Sequence, residues 1–299
     1  MPELPDVELY LSALRPRVVG QTLGRARLAS PFFLRTVTPP LAALEGRRIA
    51  DVSRLGKRIV FAFDGGLFAV VHLMIAGRFR WREPGAPIPG KVGLAAFDVD
   101  AGTLLMTEAG SRKQASLHVV EGERAVQAFD AGGVDVFDLT REEFAERLRQ
   151  GHHTLKRALT DPHIFSGIGN AYSDEILHAA RLSPLTLTSA LADEAIEALF
   201  DATRGVLHDW TARLQAENGE AFPEKVTAFR EGMAVHGRYG KPCPRCGRPV
   251  QRIVYARNEA NYCPTCQTGG RLLADRALSR LLGADWPRTL EDLERLKSR

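Results

Sequence analysis

Short apolar runs separated by turn residues fill the first half of the chain, and they predict β-strands. These runs are rich in β-branched and aromatic residues and lie at 58–63, 67–73, 94–99, 103–107 and 116–120. Asp64-Gly65-Gly66 lies between the first two runs and is typical of a hairpin turn. Many short strands with tight turns favour an antiparallel sandwich over parallel βαβ units.

Helical periodicity precedes and follows this β-rich region. A first helix, begun near Pro5, carries a stripe of apolar residues: Val7, Leu11, Leu14 and Val18. After a Gly-rich boundary at 131–139, Thr140 and Glu143 form a capping-box signature, and helical character continues to about residue 215. The stretch 218–240 reads as irregular.

Leucine spacing predicts two helices at the C-terminal end. The first would contain Leu272, Leu273, Leu278, Leu281 and Leu282. The second would begin after Thr289 and contain Leu290, Leu293 and Leu296. We expect both to pack on the body of the protein, and we assign them no chemistry.

Composition and charge narrow the class of protein. The 299 residues are 44% hydrophobic and 25% charged, which suits a globular protein of two domains. The apolar stretch 67–75 is too short to span a bilayer and predicts a buried strand. No signal peptide is visible, and the cysteines near the C-terminus suit a reducing compartment, so we expect a cytoplasmic protein without membrane contact. Between Arg238 and Arg257 there are six Lys or Arg and no acidic residue. This patch suits nucleic acid, with a solvated basic face as the alternative.

Four cysteines near the C-terminus form two C-x-x-C pairs: Cys243 with Cys246, and Cys263 with Cys266. Sixteen residues separate the pairs, a spacing that matches a tetrahedral four-thiolate zinc site. Zinc would supply on the order of 10 kcal/mol to the folding of such a small module. A redox C-x-x-C is the alternative, which two matched pairs disfavour. Residues 250–256 and Tyr262 suggest a β-hairpin between them.

The N-terminus carries candidate chemistry. Removal of Met1 would leave Pro2 with a free secondary amine, whose pKa near ~8 keeps a useful fraction unprotonated at neutral pH. Attack by such an amine on a carbonyl-like carbon gives an iminium ion, an electron sink for covalent catalysis. Glu3 could shuttle a proton beside it. An ordinary acidic helix start explains the same residues without chemistry.

Met-Pro-Glu-Leu-Pro-Asp-Val-Glu at residues 1–8 resembles the start of the formamidopyrimidine-DNA glycosylase and endonuclease VIII family of base-excision repair enzymes. The resemblance implies that Pro2 is the Schiff-base nucleophile and Glu3 the proton shuttle. The family's second Glu in this motif is Asp6 here. The resemblance extends to about residue 267.

The same resemblance implies further roles in the N-terminal domain. Lys57 would contact the substrate and assist strand cleavage. His72 opens a segment similar to the family's H-L-x-M-x-G, which contacts DNA and in which the Met is an apolar wedge; that position is Ile75 here. Arg112 lies where purine-specific members carry a D-P-R-R-F-G-like stretch, but this chain has no aromatic residue there.

In the C-terminal half, Gly167-Ile168-Gly169-Asn170 resembles the family's helix-two-turn-helix motif. Lys156 and Asn170 are carried over as phosphate binders, and Arg257 as the residue of the zinc hairpin that grips phosphates around the lesion. Strict counting back from Cys263 would put Asn258 in that last place.

The resemblance implies an α+β protein: an N-terminal antiparallel β-sandwich flanked by helices (1–130), a linker (131–139), a helix-two-turn-helix domain (140–240), a zinc hairpin with one structural Zn²⁺ (241–267) and a helical extension (268–299). Damaged double-stranded DNA would occupy a basic cleft of the monomer, and Pro2 would remove an oxidised base and cut the strand by β,δ-elimination. Two alternatives stay open. One is the same chemistry on oxidised pyrimidines, hydantoins or abasic sites, and the other is a non-catalytic, zinc-dependent DNA-binding protein.

Overall fold

The computed structural model describes residues 1–110, 112–227, 229–255, 258–274 and 276–297 of the chain. They form two compact units. The first holds Met1–Gly132 with the segment from His208 to 227, and the second holds Gly133–Leu207 with the segment from Phe229 onwards. The segment from His208 to 227 thus belongs to the unit of the predicted sandwich, although it begins within the predicted helical region.

The described residues of the two units form the following strands and helices, each type numbered in chain order. The strands are β1 (Leu23–Leu28), β2 (Ile49–Leu55), β3 (Arg58–Phe63), β4 (Leu67–His72), β5 (Gly77–Arg82), β6 (Gly93–Val99), β7 (Gly102–Glu108), β8 (Ser116–Glu121), β9 (Gln251–Tyr255) and β10 (Asn258–Tyr262). The helices are α1 (Leu4–Val18), α2 (Glu123–Gln127), α3 (Arg141–Arg149), α4 (Leu155–Thr160), α5 (Asn170–Ala179), α6 (Asp193–Asn218), α7 (Pro264–Thr268), α8 (Arg276–Leu282) and α9 (Leu290–Lys297).

Two four-stranded antiparallel sheets form the first unit. Their strand orders are β1-β6-β7-β5 and β2-β3-β4-β8. Phe61 of one sheet meets Phe79 of the other edge to face, with ring centroids 6.1 Å apart, so the core lies between the sheets. The predicted sandwich, its five strand runs and the hairpin turn at 64–66 are confirmed.

The prediction that 67–75 is one continuous strand is wrong. β4 ends at His72, and residues 74–76 form a turn in which Met74 has a φ of 53°. The turn closes with the Gly77 N–H donating to the Leu73 carbonyl at 2.9 Å. A Cβ at Gly77 would overlap that carbonyl and the end of Met106, so only glycine fits this position.

Helix α1 is held against the sandwich along its length. Its predicted apolar stripe is buried, from Val7 to Val18. Arg15 donates through Nε to the Val52 carbonyl at 2.9 Å, and the Arg54 Nε pairs with the Glu8 carboxylate at 2.8 Å. These two bonds fix α1 to β2, the strand that leads into the turn containing Lys57.

The irregular stretch after α6 is anchored by one carboxylate. Glu224 accepts from Arg80 and Arg82 of β5, each at 2.6 Å. Phe222 stacks on Trp81 with ring centroids 6.4 Å apart. The prediction that 218–240 lacks regular structure is confirmed for 219–227 and 229–240.

In the second unit, the predicted capping box at the start of α3 is confirmed, with Thr140 and Glu143 bonding each other's backbone N–H. Phe144 of α3 stacks on Phe165 at 4.7 Å and contacts Phe200 of α6 at 5.3 Å. β9 and β10 form the predicted hairpin, with Gln251 opposite Tyr262.

The C-terminal extension differs in part from its prediction. Leu272 and Leu273 are buried but precede α8, so they are not helical. Their backbone N–H groups form hydrogen bonds outside any helix. The Leu272 N–H donates to the Arg288 carbonyl, and the Leu273 N–H donates to the Tyr262 hydroxyl, both at 2.8 Å. The helix predicted after Thr289 is confirmed as α9. No helix in the described part of the chain is long and apolar enough to cross a membrane.

Candidate functional site

Pro2 and Glu3 lie buried at the start of α1. Glu3 is the N-cap residue and forms a capping box with Asp6; the Glu3 N–H donates to the Asp6 Oδ2 at 3.0 Å. Asp6 is fully buried, and its shorter side chain still completes the box at the place where the resembling family has Glu. The local sequence therefore fixes both backbone and carboxylate of Glu3 next to the chain terminus.

The α-amino group that precedes Pro2 lies among charged side chains. Burial lowers the pKa of the Met1 α-amino group; Glu3 and Asp6 oppose this lowering, while Arg78 and Lys57 add to it. Arg78 was not singled out from the sequence. An amine in this setting loses its proton more readily than a solvent-exposed one.

Lys57 lies in the tight turn between β2 and β3, directly before the strand that the sequence predicts at 58–63. Burial lowers the pKa of the Lys57 ammonium, and the Glu3 carboxylate opposes the shift. The structure thus brings Lys57 and Glu3 within electrostatic reach of the chain terminus.

His72 ends β4 and lies opposite Arg58 of β3. Burial, with the charges of Arg58 and Lys57 and a smaller effect of His118, lowers the pKa of His72 to about 4. The imidazole is therefore neutral at physiological pH and can offer one N–H donor without a charge.

Ile75 stands at the tip of the turn after β4, with 64% of its surface exposed. Arg78 holds this tip by donating to the Ile75 carbonyl at 3.1 Å and to the Gly77 carbonyl at 2.6 Å. A large aliphatic side chain held out in water by a tight turn has the form that an inserting wedge requires.

The loop after β7 is organised by a residue that the sequence did not single out. The buried Glu108 carboxylate accepts from the backbone N–H of Gln114 at 2.9 Å and of Ala115 at 3.1 Å. Lys113 donates to the Glu108 carbonyl. Arg112 lies on this loop and is exposed.

Helix α5 begins at Asn170, after a turn in which Gly167 has a φ of 83°. Asn170 is half-buried at the first position of the helix, where free N–H groups and the positive dipole end favour an anion.

Lys156 differs from the exposed ammonium that a direct phosphate contact would need. It is only 4% exposed; its Nζ pairs with Asp174 Oδ1 at 2.5 Å and donates to the Asn170 carbonyl at 2.6 Å. Those bonds tie α4 to the first turns of α5, so Lys156 positions Asn170.

Asp174 and Glu175, adjacent buried residues of α5, collect partners from distant parts of the unit. Asp174 Oδ2 lies 2.8 Å from His236 Nδ1 and accepts from the Asn261 amide at 3.1 Å. The Glu175 carboxylate accepts three backbone N–H groups, those of Ala234, Val235 and His236, at 2.6 to 2.9 Å. Burial raises the pKa of Glu175, and these three bonds oppose it. Neither residue was singled out from the sequence; two consecutive acidic residues among the apolar positions of a predicted helix were the signal that could have revealed this network.

The four cysteine sulfurs form one cluster. All lie within 4.8 Å of one another; the Cys243 and Cys266 sulfurs are 4.0 Å apart, and those of Cys246 and Cys263 are 3.4 Å apart. A tetrahedral ion ~2.3 Å from each thiolate would separate the sulfurs by ~3.8 Å. The cluster therefore fits a structural Zn²⁺. Arg257, predicted as the residue of the zinc hairpin that grips phosphates, lies outside the described residues.

Three family models match successive parts of the chain. They are the formamidopyrimidine-DNA glycosylase N-terminal domain over residues 1–115, the helix-two-turn-helix domain of the same enzyme over 135–216, and a zinc finger found in FPG and IleRS over 240–269. Together they define the class of the protein as a zinc-finger DNA glycosylase.

Three similar proteins match this chain over nearly their whole lengths. The chain is 35% identical over 274 residues to a formamidopyrimidine-DNA glycosylase of Chloroflexus aggregans, covering 89% of this chain and 98% of the relative. The crystal structure of the Thermus thermophilus MutM (FPG) protein superposes with a TM-score of 0.75 at 34% identity, covering 89% and 98%. A Lactococcus lactis Fpg complex with abasic-site DNA gives a TM-score of 0.79 at 26% identity, covering 89% and 99%. The chain belongs to the formamidopyrimidine-DNA glycosylase family.

The lowered pKa of His72 makes a prediction about acid stability. Above pH 6.5 the imidazole is neutral in both the folded and the unfolded chain. As pH falls from 6.5 towards 4, the unfolded chain takes up a proton that the folded chain does not. The free energy of unfolding should therefore fall by at most about 3 kcal/mol through this residue. His72→Gln should lose less stability between pH 7 and pH 4.5 than the parent, measured by urea unfolding. The exposed His208→Gln in the same unit is the control, and equal losses in all three proteins would contradict the assignment.

Proposed function

We propose that this chain removes oxidised bases from duplex DNA in base-excision repair and then cleaves the strand at the abasic site. The observation that carries the proposal is the buried Pro2-Glu3 segment at the start of α1. The charges of Lys57 and Arg78 act on the α-amino group beside it. The solved Lactococcus lactis relatives hold abasic-site DNA and Fapy-dG-containing DNA, which supports damaged duplex DNA as the substrate class.

The reaction begins once Met1 has been removed and Pro2 carries the free amine. The lone pair of the Pro2 nitrogen forms a bond to C1′ of the damaged nucleotide while the C1′–base bond breaks. The electron pair of the broken bond leaves with the base. The base takes up a proton as it departs, and opening of the sugar ring converts the adduct to an iminium ion. Glu3, fixed by its capping box, is placed to move protons in these steps.

Strand cleavage follows from the iminium ion. Its positive charge acidifies the C2′ hydrogens; loss of one breaks the C3′–oxygen bond, and a second elimination breaks the C5′–oxygen bond. Each step is an elimination of phosphate and uses no oxidant or reductant. Lys57 assists here as a cation whose pKa burial has lowered.

The setting of the terminal amine favours the first step. Burial lowers the pKa of the α-amino group in the present chain, where Met1 carries it. Pro2 is itself buried, so we expect burial to act on its amine in the same direction once Met1 is removed. A larger unprotonated fraction at neutral pH makes the amine a better nucleophile.

DNA contacts are assigned to both units. In the first, Ile75 fills the gap left by the extruded nucleotide, with Arg112 at the orphaned base and His72 at a phosphate. In the second, Asn170 and Arg257 bind phosphates, while Lys156 holds Asn170 in place. Phosphate contacts position DNA without reading its sequence, so the choice of lesion depends on Ile75 and Arg112 of the first unit. The zinc cluster supports the hairpin and takes no part in the chemistry.

A narrower lesion preference is the second candidate. The loop at 107–113 has no aromatic residue, which favours oxidised pyrimidines, hydantoins or bare abasic sites over oxidised purines. Matched duplexes that differ only in the lesion decide between the candidates. Efficient removal of oxidised purines would exclude the narrower reading.

Ile75→Ala should reduce base removal from duplex DNA about tenfold or more, because the apolar plug offsets a few kcal/mol of lost stacking. Cleavage of an abasic site in single-stranded DNA should change little, since no neighbouring pairs are unstacked there. Val37→Ala, an even more exposed aliphatic residue of the same unit, is the matched control. Equal losses on both substrates would argue against a wedge.

The decisive experiment is borohydride trapping on duplex DNA with a single abasic site. The parent should form a covalent adduct that maps to Pro2 by peptide mass, and Pro2→Gly should form less, since glycine offers a primary amine in a looser terminus. Glu3→Gln should bind this DNA as the parent does but cleave the strand more slowly, because the proton shuttle is lost. Intact DNA binding with no trapped adduct in the parent would favour the non-catalytic DNA-binding alternative.

A further inference from the structure

His178, in the last turn of α5, lies against the zinc cluster. Its side chain is buried, with 4% of the residue exposed, and its Nε2 lies 3.2 Å from the Cys243 sulfur. Neither the resemblance nor the family models assign this residue a role. We propose that His178 is a positioning residue for zinc, which donates an N–H···S hydrogen bond from Nε2 to the Cys243 thiolate.

The direction of this bond follows from the chemistry of the acceptor. A cysteine that binds Zn²⁺ has lost its proton, so its sulfur can only accept. Nε2 must then carry the imidazole proton, which fixes the tautomer of His178. Four thiolates around one Zn²⁺ leave a net charge of −2, and a donor aimed at one sulfur reduces the negative charge that the site must hold.

A second contact joins the same knuckle to the same helix turn. Arg245, between the first two cysteines, donates to the His178 carbonyl at 2.9 Å and to the Ala179 carbonyl at 3.4 Å. A cation on the last carbonyls of a helix is favourable in itself. The backbone of His178 is thus held by the knuckle while its imidazole reaches back to Cys243, so the N–H···S geometry is fixed from both sides.

The test measures zinc affinity by competition with a chromophoric chelator, using the full-length holoprotein. His178→Leu should bind zinc roughly 10–100-fold more weakly, as expected for loss of a partner that orients a metal ligand. His178→Gln places an amide N–H near the Nε2 position and should recover most of the affinity, whereas His178→Asn is too short and should not. His208→Leu, an exposed helical histidine, is the matched control. Parent-like zinc affinity in His178→Leu would overturn the proposal.

Cobalt substitution gives a readout that general destabilisation would not move. A hydrogen bond lowers the energy of the sulfur lone pair, so its loss in His178→Leu should shift the thiolate-to-cobalt charge-transfer band to longer wavelength, and Gln should shift it back. Nitrogen-15 spectra of the zinc-loaded parent should show the His178 proton on Nε2. A proton on Nδ1 alone, or a cobalt spectrum typical of three sulfurs and one nitrogen, would show that His178 does not donate to Cys243.

Discussion

The second unit depends on the burial of two adjacent carboxylates, Asp174 and Glu175. An ionised carboxylate taken out of water costs several kcal/mol unless it is fully paired and hydrogen-bonded. Here the partners are a lysine from α4, a histidine and three backbone N–H groups from 234–236, and an amide from β10. Loss of any one partner would leave a buried polar or charged group unpaired, so these bonds couple the helix-two-turn-helix turn to the zinc hairpin. Helix α5 then links the predicted phosphate contact at Asn170 to the metal at its other end.

The first unit uses carboxylates in the same way at smaller scale. Glu3 and Asp6 begin α1, Glu8 ties that helix to β2, Glu108 shapes the loop after β7, and Glu224 holds the segment from the end of α6. Each anchors a segment that lacks a strand partner. The candidate catalytic groups therefore sit on segments whose backbone is already fixed, which is the preorganisation that covalent amine chemistry requires.

Local features of the fold could be predicted from sequence because they depend on neighbours in the chain. The strands at 58–63 and 67–72, the capping box at Thr140 and the paired cysteines are of this kind. Lys156 shows the limit of such prediction: the family resemblance suggested a phosphate contact, yet its buried ion pair depends on Asp174, which only tertiary packing brings near. Leu272 and Leu273 had helical spacing, but their N–H groups donate to the Arg288 carbonyl and the Tyr262 hydroxyl, and neither residue is helical. Likewise β4 stops at His72 because the close approach at Gly77 forces a turn.

The order of synthesis gives the Asp174 network a further consequence. Asn261 lies 87 residues beyond Asp174, so a ribosome adding ~5–20 residues per second needs roughly 4–17 s to deliver that partner. During this interval the two adjacent acidic residues lack part of their final set of hydrogen-bond partners. The sheets of the first unit wait in the same way for the segment that begins at His208. Each unit consists of two separate chain segments, so neither can complete its fold until its later segment has been synthesised. Until the last third of the chain has emerged, apolar surface that the complete fold would bury stays exposed to chaperones and proteases.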